Sequence, residues 1–181
     1  MKKLFKWGIA AFFLIILLSS FILILVGNQL LHNRDIPERD SLIPDGEIKV
    51  VMAFFPHPDD EITVAGTLIS LIESGHEVHL VCLTKGEAGD TEGKFSKREL
   101  GEIRSLEMKA SADVIGVKGL HLLDYPDGGL AEMGLDSIKT IAKNWIDKMQ
   151  PDVILSYDSK VGLYGHSDHQ LSGLAVQEVF L

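Results

Sequence analysis

Two short stretches of the sequence combine histidine with carboxylates. PHPDDE (56–61) holds His57, Asp59 and Asp60, and GHSDH (165–169) adds two histidines and an aspartate much later in the chain. Imidazole and carboxylate groups bind first-row metals, and catalytic zinc typically takes three such ligands and keeps a position for water. The two stretches therefore predict a site of two histidines and one aspartate, with a second aspartate free to accept a proton from water.

Each stretch also has an ordinary structural interpretation. Acidic residues are favoured in the first turn of any helix, and GHSDH read by itself is a polar loop. A single histidine in a loop is more often a surface residue than a ligand, and we interpret four others in that way: His32, His76, His79 and His121. The metal interpretation is favoured only if both stretches lie at the same edge of one sheet.

Alternating strand and helix patterns place them there. The strand patterns are 48–55, 77–84, 119–125 and 152–157, and the helical patterns are 61–74, 96–115, 135–149 and a last one after His169. This order predicts an α/β fold, a parallel sheet with helices on both faces. Each strand is followed by a charged loop, at the carboxyl ends of the strands where such sheets bind ligands.

Charge and composition exclude several functions. The first 31 residues contain three of the 17 basic residues and none of the 26 acidic ones, so the remainder has a net charge near −12. That charge makes nucleic acid an unsuitable partner. The first strand-to-helix junction carries carboxylates where a dinucleotide site needs glycine. Cys82 is the single cysteine, which excludes an intrachain disulfide and a cysteine-based zinc cluster. We predict that it is a buried strand residue.

The N-terminus is strongly apolar. Residues 7–26 contain no charge and follow three lysines, and about 20 helical residues span the hydrocarbon core of a bilayer. We therefore predict a transmembrane anchor (1–31) rather than a cleaved signal peptide. This anchor predicts a single-pass membrane protein with the lipid bilayer as a partner. The three lysines before it predict a cytoplasmic N-terminus and an extracytoplasmic catalytic domain.

A polar segment with two prolines (32–46) is predicted to tether that anchor to a folded domain (47–181). The chain ends within the first turns of its last helical pattern. We therefore expect it to be a fragment of a longer protein.

Five motifs in order resemble the PIG-L family, the LmbE-like N-acetylglucosaminyl deacetylases: PHPDDE, TKGEAG, LGEIRSLEMKASADVIGV, LDYPDGG and GHSDH. The resemblance covers residues 48–181. It implies a Rossmann-like fold and a hydrolase, dependent on zinc (Zn²⁺) or another divalent metal, that removes acetyl from an N-acetylglucosamine-containing glycoconjugate. The sequence alone leaves two alternatives, a non-catalytic carbohydrate-binding protein and a metal-dependent hydrolase of another bond.

The resemblance also implies roles for single residues. His57, Asp60 and His169 bind the metal, Asp59 is the general base, and Glu61 supports the site without binding the metal. By the same resemblance, His166 stabilises the tetrahedral intermediate or assists the leaving amine, and Asp168 orients His166. Arg104 and Asp127 contact the sugar. Two departures from the family pattern are Pro56, where a small residue is more usual, and Ser167, where proline is common.

Overall fold

The computed structural model describes residues 2–31, 43, 46–47 and 49–180. The chain divides into two compact units, 1–45 and 46–181. The described element of the first unit is helix α1 (Lys2–Leu31). Most of the predicted tether, 32–46, lies outside the described residues, so it stays a prediction.

The membrane prediction requires correction. In the part of the chain that the structure describes, no helix is long and apolar enough to cross a membrane. The predictions of a transmembrane helix and of a single-pass membrane localisation with an extracytoplasmic domain are therefore wrong, and nothing in the described residues supports the predicted bilayer partner.

The second unit alternates strands and helices as the sequence predicts. The strands are β1 (Val50–Phe55), β2 (Glu77–Thr84), β3 (Gly119–Tyr125) and β4 (Val153–Leu155). The helices are α2 (Ala65–Glu73), α3 (Lys97–Ile115), α4 (Leu130–Met133), α5 (Leu135–Met149), α6 (Gly162–Gly165) and α7 (Ser167–Phe180), with a 3₁₀ turn (Asp60–Val64) before α2. The predicted strand 152–157 is shorter than expected, and α4 and α6 were not predicted because one turn leaves no periodic pattern.

The four strands form one parallel sheet in the order β3-β2-β1-β4. In the centre, Val51 of β1 is in register with Val78 of β2 on one side and Val153 of β4 on the other. The chain moves to one side of β1 for β2 and β3 and returns to the opposite side for β4. This reversal opens a crevice at the carboxyl ends of β1 and β4, where open α/β sheets bind their ligands.

Helices cover both faces of the sheet. Successive side chains of a strand point to opposite faces, and all of β1 from Val51 to Phe55 is buried. One face packs Met52 and Phe54 against α4, α5 and α7. The other packs against α2 and α3, which contact β2 and β3. The parallel α/β prediction is confirmed, and Cys82 is buried in β2 as predicted.

Two helix starts set the positions of site residues. Ser96 and Glu99 form a capping box that starts α3, because a serine three residues before a glutamate satisfies two free backbone N–H groups. This fixes the register of the helix that carries Arg104 and Ser111. Helix α7 starts at Ser167, earlier than predicted, so that Asp168 and His169 belong to its first turn.

Candidate active site

A cavity of about 460 Å³ opens at the crevice between the ends of β1 and β4. Seven of the eight predicted site residues line it: His57, Asp59, Asp60, Arg104, Asp127, His166 and His169. The eighth, Asp168, is fully buried with its carboxylate facing Nε2 of His57. The structure therefore brings all eight residues to one place.

The turn after β1 separates three neighbouring side chains. The backbone N–H of His57 donates to Oδ2 of Asp60 at 2.7 Å, which closes the turn. Asp59 between them has a φ of 90°, a left-handed conformation that is uncommon for residues other than glycine and is often found at functional sites. As a result His57 and Asp60 are buried, whereas the side chain of Asp59 stays 66% exposed at the rim.

Ligand atoms of three residues meet at the base of the cavity, and each histidine faces a different carboxylate oxygen of Asp60. Nδ1 of His57 lies 3.2 Å from Nε2 of His169 and 3.4 Å from Oδ2 of Asp60, and Nε2 of His169 lies 3.1 Å from Oδ1 of Asp60. Ligands about 2.0–2.1 Å from a tetrahedral zinc ion are separated from one another by about 3.3 Å. The three residues therefore fit a tetrahedral metal ion, and they form one of two groups in the described chain whose ligand atoms are close enough to bind one.

The second ring nitrogen of each histidine has its own partner. Nδ1 of His169 lies 2.8 Å from the carbonyl oxygen of Gly162, so it donates its hydrogen there and leaves Nε2 free. Nε2 of His57 lies 3.1 Å from Oδ1 of Asp127 and 3.4 Å from Oδ2 of Asp168. Partners of this kind fix the tautomer and ring orientation of histidines that bind metals.

The charge of His57 follows from the same contacts. Burial lowers the pKa of this ring, but hydrogen bonds to three carboxylates outweigh burial and raise the pKa to about 11. Without a metal the ring is therefore protonated at neutral pH, and Nδ1–H points to His169. A cation bound here would take the place of that proton.

Residues 52–180 match the PIG-L family, described as GlcNAc-PI de-N-acetylase. The chain belongs to the PIG-L family. It is 36% identical over 134 residues to a diacetylchitobiose deacetylase of Thermococcus kodakarensis, covering 72% of this chain and 48% of that protein. It is 33% identical over 132 residues to a probable N-acetyl-α-D-glucosaminyl L-malate deacetylase of Bacillus anthracis, covering 71% and 58%. The chain thus spans about half the length of these relatives.

Solved structures share the fold of this PIG-L domain. An N,N'-diacetylchitobiose deacetylase of Pyrococcus horikoshii superposes with a TM-score of 0.68 at 35% identity, covering 85% of this chain and 57% of that one. A 4-carboxy-2-hydroxymuconate hydratase of Pseudomonas putida KT2440 superposes with a TM-score of 0.61 at 21% identity, covering 73% and 55%. The second likeness shows the fold alone, and a fold by itself does not determine the reaction.

In the PIG-L domain, Arg104 contacts the predicted base. Its guanidinium donates to Oδ2 of Asp59 at 2.7 Å and to the carbonyl oxygens of Pro58 and Gly86. Gly86 has a φ of 69°, and a Cβ there would overlap the guanidinium, so glycine is required for this close approach. Burial raises the pKa of Asp59, and the positive charge of Arg104 opposes that rise.

His166 contacts the backbone N–H of Asp168. The N–H of Asp168 donates to Nδ1 of His166 at 3.2 Å, and a neutral ring then carries its hydrogen on Nε2. Burial and the charges of His57 and His169 lower the pKa of His166. His166 is thus suited to donate a hydrogen bond from a neutral ring, while the orienting role predicted for Asp168 stays a prediction.

The structure adds two supporting residues that sequence reasoning missed, Ser111 beside Glu61 and Tyr157 beside Asp60. Glu61 is 1% exposed, accepts from the hydroxyl of Ser111 at 2.6 Å and accepts from the N–H of Asp59 at 3.0 Å. Tyr157 contacts Asp60 and His169. Ser111 left no signal because its partner is remote in sequence, but Tyr157 ends a predicted strand at the ligand-binding edge and could have been considered.

Proposed function

We propose that this chain carries the catalytic centre of a zinc-dependent hydrolase that removes acetyl from an N-acetylglucosamine-type glycoconjugate. The observation that carries the proposal is the convergence of His57, Asp60 and His169, whose ligand atoms lie 3.1–3.4 Å apart. The carboxylate of Asp59 lines the same cavity. Relatives named for deacetylation of diacetylchitobiose and of an N-acetylglucosaminyl malate support the substrate class.

Amide hydrolysis requires a stronger nucleophile than neutral water, a donor for the oxyanion and a proton for the departing amine. A zinc ion held by the three residues would supply Lewis acidity for the first two requirements. Asp59, at the rim, accepts the proton of the attacking water. Because Asp59 is not one of the three proposed ligands, its carboxylate is available for that task while Oδ2 also accepts a hydrogen bond from Arg104.

His166 and its neighbours complete the proposed mechanism. His166 offers Nε2–H toward the cavity, where it stabilises the oxyanion by a hydrogen bond, and the proton that Asp59 accepted from the water passes to the leaving amine. Asp127 has its carboxylate occupied by His57 and by the N–H of Ala88 at 2.8 Å, so contact with a sugar would add to these bonds. Arg104 lines the cavity beside Asp59, where it is placed to contact the sugar as well as the base.

Metal-stripped and zinc-restored protein tests this proposal. The full chain is freed of metal with a chelator, supplied with zinc, and assayed for acetate release from diacetylchitobiose and from N-acetylglucosaminyl malate and inositol. We expect release only with a divalent metal. Saturable sugar binding without acetate release under any divalent metal would favour a non-catalytic carbohydrate-binding protein instead.

Two variants test the assigned roles. Asp59→Asn should lower kcat by about 10²–10⁴-fold, the usual contribution of a general base, while the bound zinc per protein stays unchanged. Asp113→Asn, an exposed aspartate on α3, is the matched control and should keep full activity. The double variant His57→Ala, His169→Ala should lose the metal, and an unchanged zinc content would contradict the site.

A further inference from the structure

Tyr157 touches two of the three proposed ligands. Its hydroxyl donates to Oδ1 of Asp60 at 2.9 Å, and its ring stacks on His169 with centroids 4.0 Å apart and planes 20° from parallel. These two ligands come from chain segments more than a hundred residues apart, after β1 and at the start of α7. One side chain therefore relates the two segments across the base of the cavity.

The hydrogen bond from Tyr157 holds the carboxylate of Asp60 from a second direction. Oδ2 already accepts the backbone N–H of His57 at 2.7 Å, and the hydroxyl of Tyr157 holds Oδ1. With one hydrogen bond the carboxylate can turn about its Cβ–Cγ bond, because that torsion has a broad energy profile. With both oxygens held, its plane is fixed toward His57 and His169.

Tyr157 is itself firmly placed. Tyr157 is separated from the end of β4 only by Ser156, and its ring meets Phe55 edge to face at 5.3 Å. The hydroxyl of Ser156 donates to the carbonyl oxygen of Phe54 at 2.8 Å, which adds a further link between this segment and β1. Its carbonyl packs so closely on Gly173 of α7 that a Cβ there would overlap it. Burial and the negative charge of Asp60 raise the pKa of the Tyr157 hydroxyl, which therefore remains a donor.

We propose that Tyr157 is a positioning residue of the metal centre, which sets the orientation of Asp60 through its hydroxyl and of His169 through its ring, and thereby sets the metal affinity. This inference rests on the proposed metal site but not on the substrate. Partners that orient ligands typically contribute about 10–100-fold in metal affinity. A residue with a merely structural role would change the stability of the domain and leave the affinity of the folded protein unchanged.

Zinc affinity of the full chain, measured by competition with a chromophoric chelator, tests the inference. Tyr157→Phe keeps the ring and removes the hydroxyl, and we expect about 10-fold weaker binding and an altered visible spectrum of the cobalt-substituted protein. Tyr157→Leu removes the stacking as well and should weaken binding further. Tyr125→Phe, at the end of β3 and packed on the core, is the control and should leave the affinity and spectrum unchanged.

The outcomes separate this inference from the proposed function. If Tyr157→Phe and Tyr157→Leu both bind zinc within twofold of the parent, the positioning role is overturned. A parent that binds zinc through His169 but releases no acetate would contradict the deacetylase and leave the affinity test of Tyr157 fully valid. A parent that binds no zinc would overturn both.

Discussion

The guanidinium of Arg104 donates a hydrogen bond of 2.7 Å to the carboxylate of Asp59. The family resemblance assigns Arg104 to the sugar, but this contact gives it a second effect on the proposed base. Burial raises the pKa of Asp59, and the charge of Arg104 limits that rise. The arginine therefore helps to keep the carboxylate ionised, the form that accepts a proton.

Replacing Arg104 should move the acidic limb of the pH–rate profile. In Arg104→Gln the opposing charge is lost, so the pKa of Asp59 rises further and the base becomes protonated at a higher pH. We expect the acidic limb of kcat/KM to shift to higher pH, with a larger loss of activity at pH 6 than at pH 8. Arg98→Gln, an exposed arginine paired with Glu102, is the control. A uniform loss at all pH values would indicate a sugar contact alone.

Replacing Ser111 should loosen the turn that holds Asp59. In Ser111→Ala, the nearly fully buried Glu61 loses the hydroxyl at 2.6 Å, and a hydrogen bond to a charged group contributes about 1.5–3 kcal/mol. We expect the free energy of unfolding in urea to fall by about that amount, accompanied by a lower kcat. Ser105→Ala, whose hydroxyl bonds only to a carbonyl of its own helix, should change both by little. Equal stabilities for the two variants would contradict the role of Ser111.

Two glycines should respond oppositely to alanine. A Cβ on Gly173 would overlap the carbonyl oxygen of Tyr157, so Gly173→Ala must push α7 away from β4 and should destabilise the domain by about 1–3 kcal/mol, the usual cost of overpacking. A Cβ on Gly66 in α2 meets nothing, and Gly66→Ala should stabilise the domain by about 0.5–1 kcal/mol. Thermal unfolding measures both, and zinc affinity should fall only in Gly173→Ala, whose helix carries His169.

Zinc binding should release a proton from His57. The pKa of this ring is raised to about 11 in the folded, metal-free protein, so Nδ1 carries a proton that zinc must displace. Zinc affinity should therefore rise with pH up to that value. Calorimetry at pH 6, below the pKa of about 7 of a zinc-bound water, in buffers of different ionisation enthalpy should show at least about one proton released per zinc.

A control separates His57 from its neighbour. His166 also titrates near the site, and its pKa is lowered, so His166→Ala should release the same number of protons as the parent. Zinc binding without proton release at pH 6 would contradict the charged state of His57.

The sequence alone gave most of the fold and the members of the site. Strand and helix periods are local properties, and they placed β2, β3 and α5 at their observed bounds. Because parallel strands end at one edge, the two stretches around His57 and His169 could be assigned to the same rim. The resemblance then predicted roles for these residues, and those roles await the experiments above.

The N-terminal segment shows where local patterns failed. Residues 7–26 have the length and apolarity typical of a membrane span, yet the described residues include no helix long and apolar enough to cross a membrane. The helix itself was predicted correctly, since α1 covers Lys2–Leu31. The apolar pattern of the N-terminal segment predicted its helix correctly but predicted a membrane span wrongly.

The sequence by itself determined which residues could do chemistry here, because residue type and strand-end position are written in the chain. Only the tertiary structure decided their partners: Arg104 at Asp59, Ser111 at Glu61, and Tyr157 between Asp60 and His169. The physical reason is that a hydrogen bond needs its donor and acceptor within about 3 Å of each other, and that stacking needs two rings in contact. Such distances between remote segments are set by how the helices pack on the sheet.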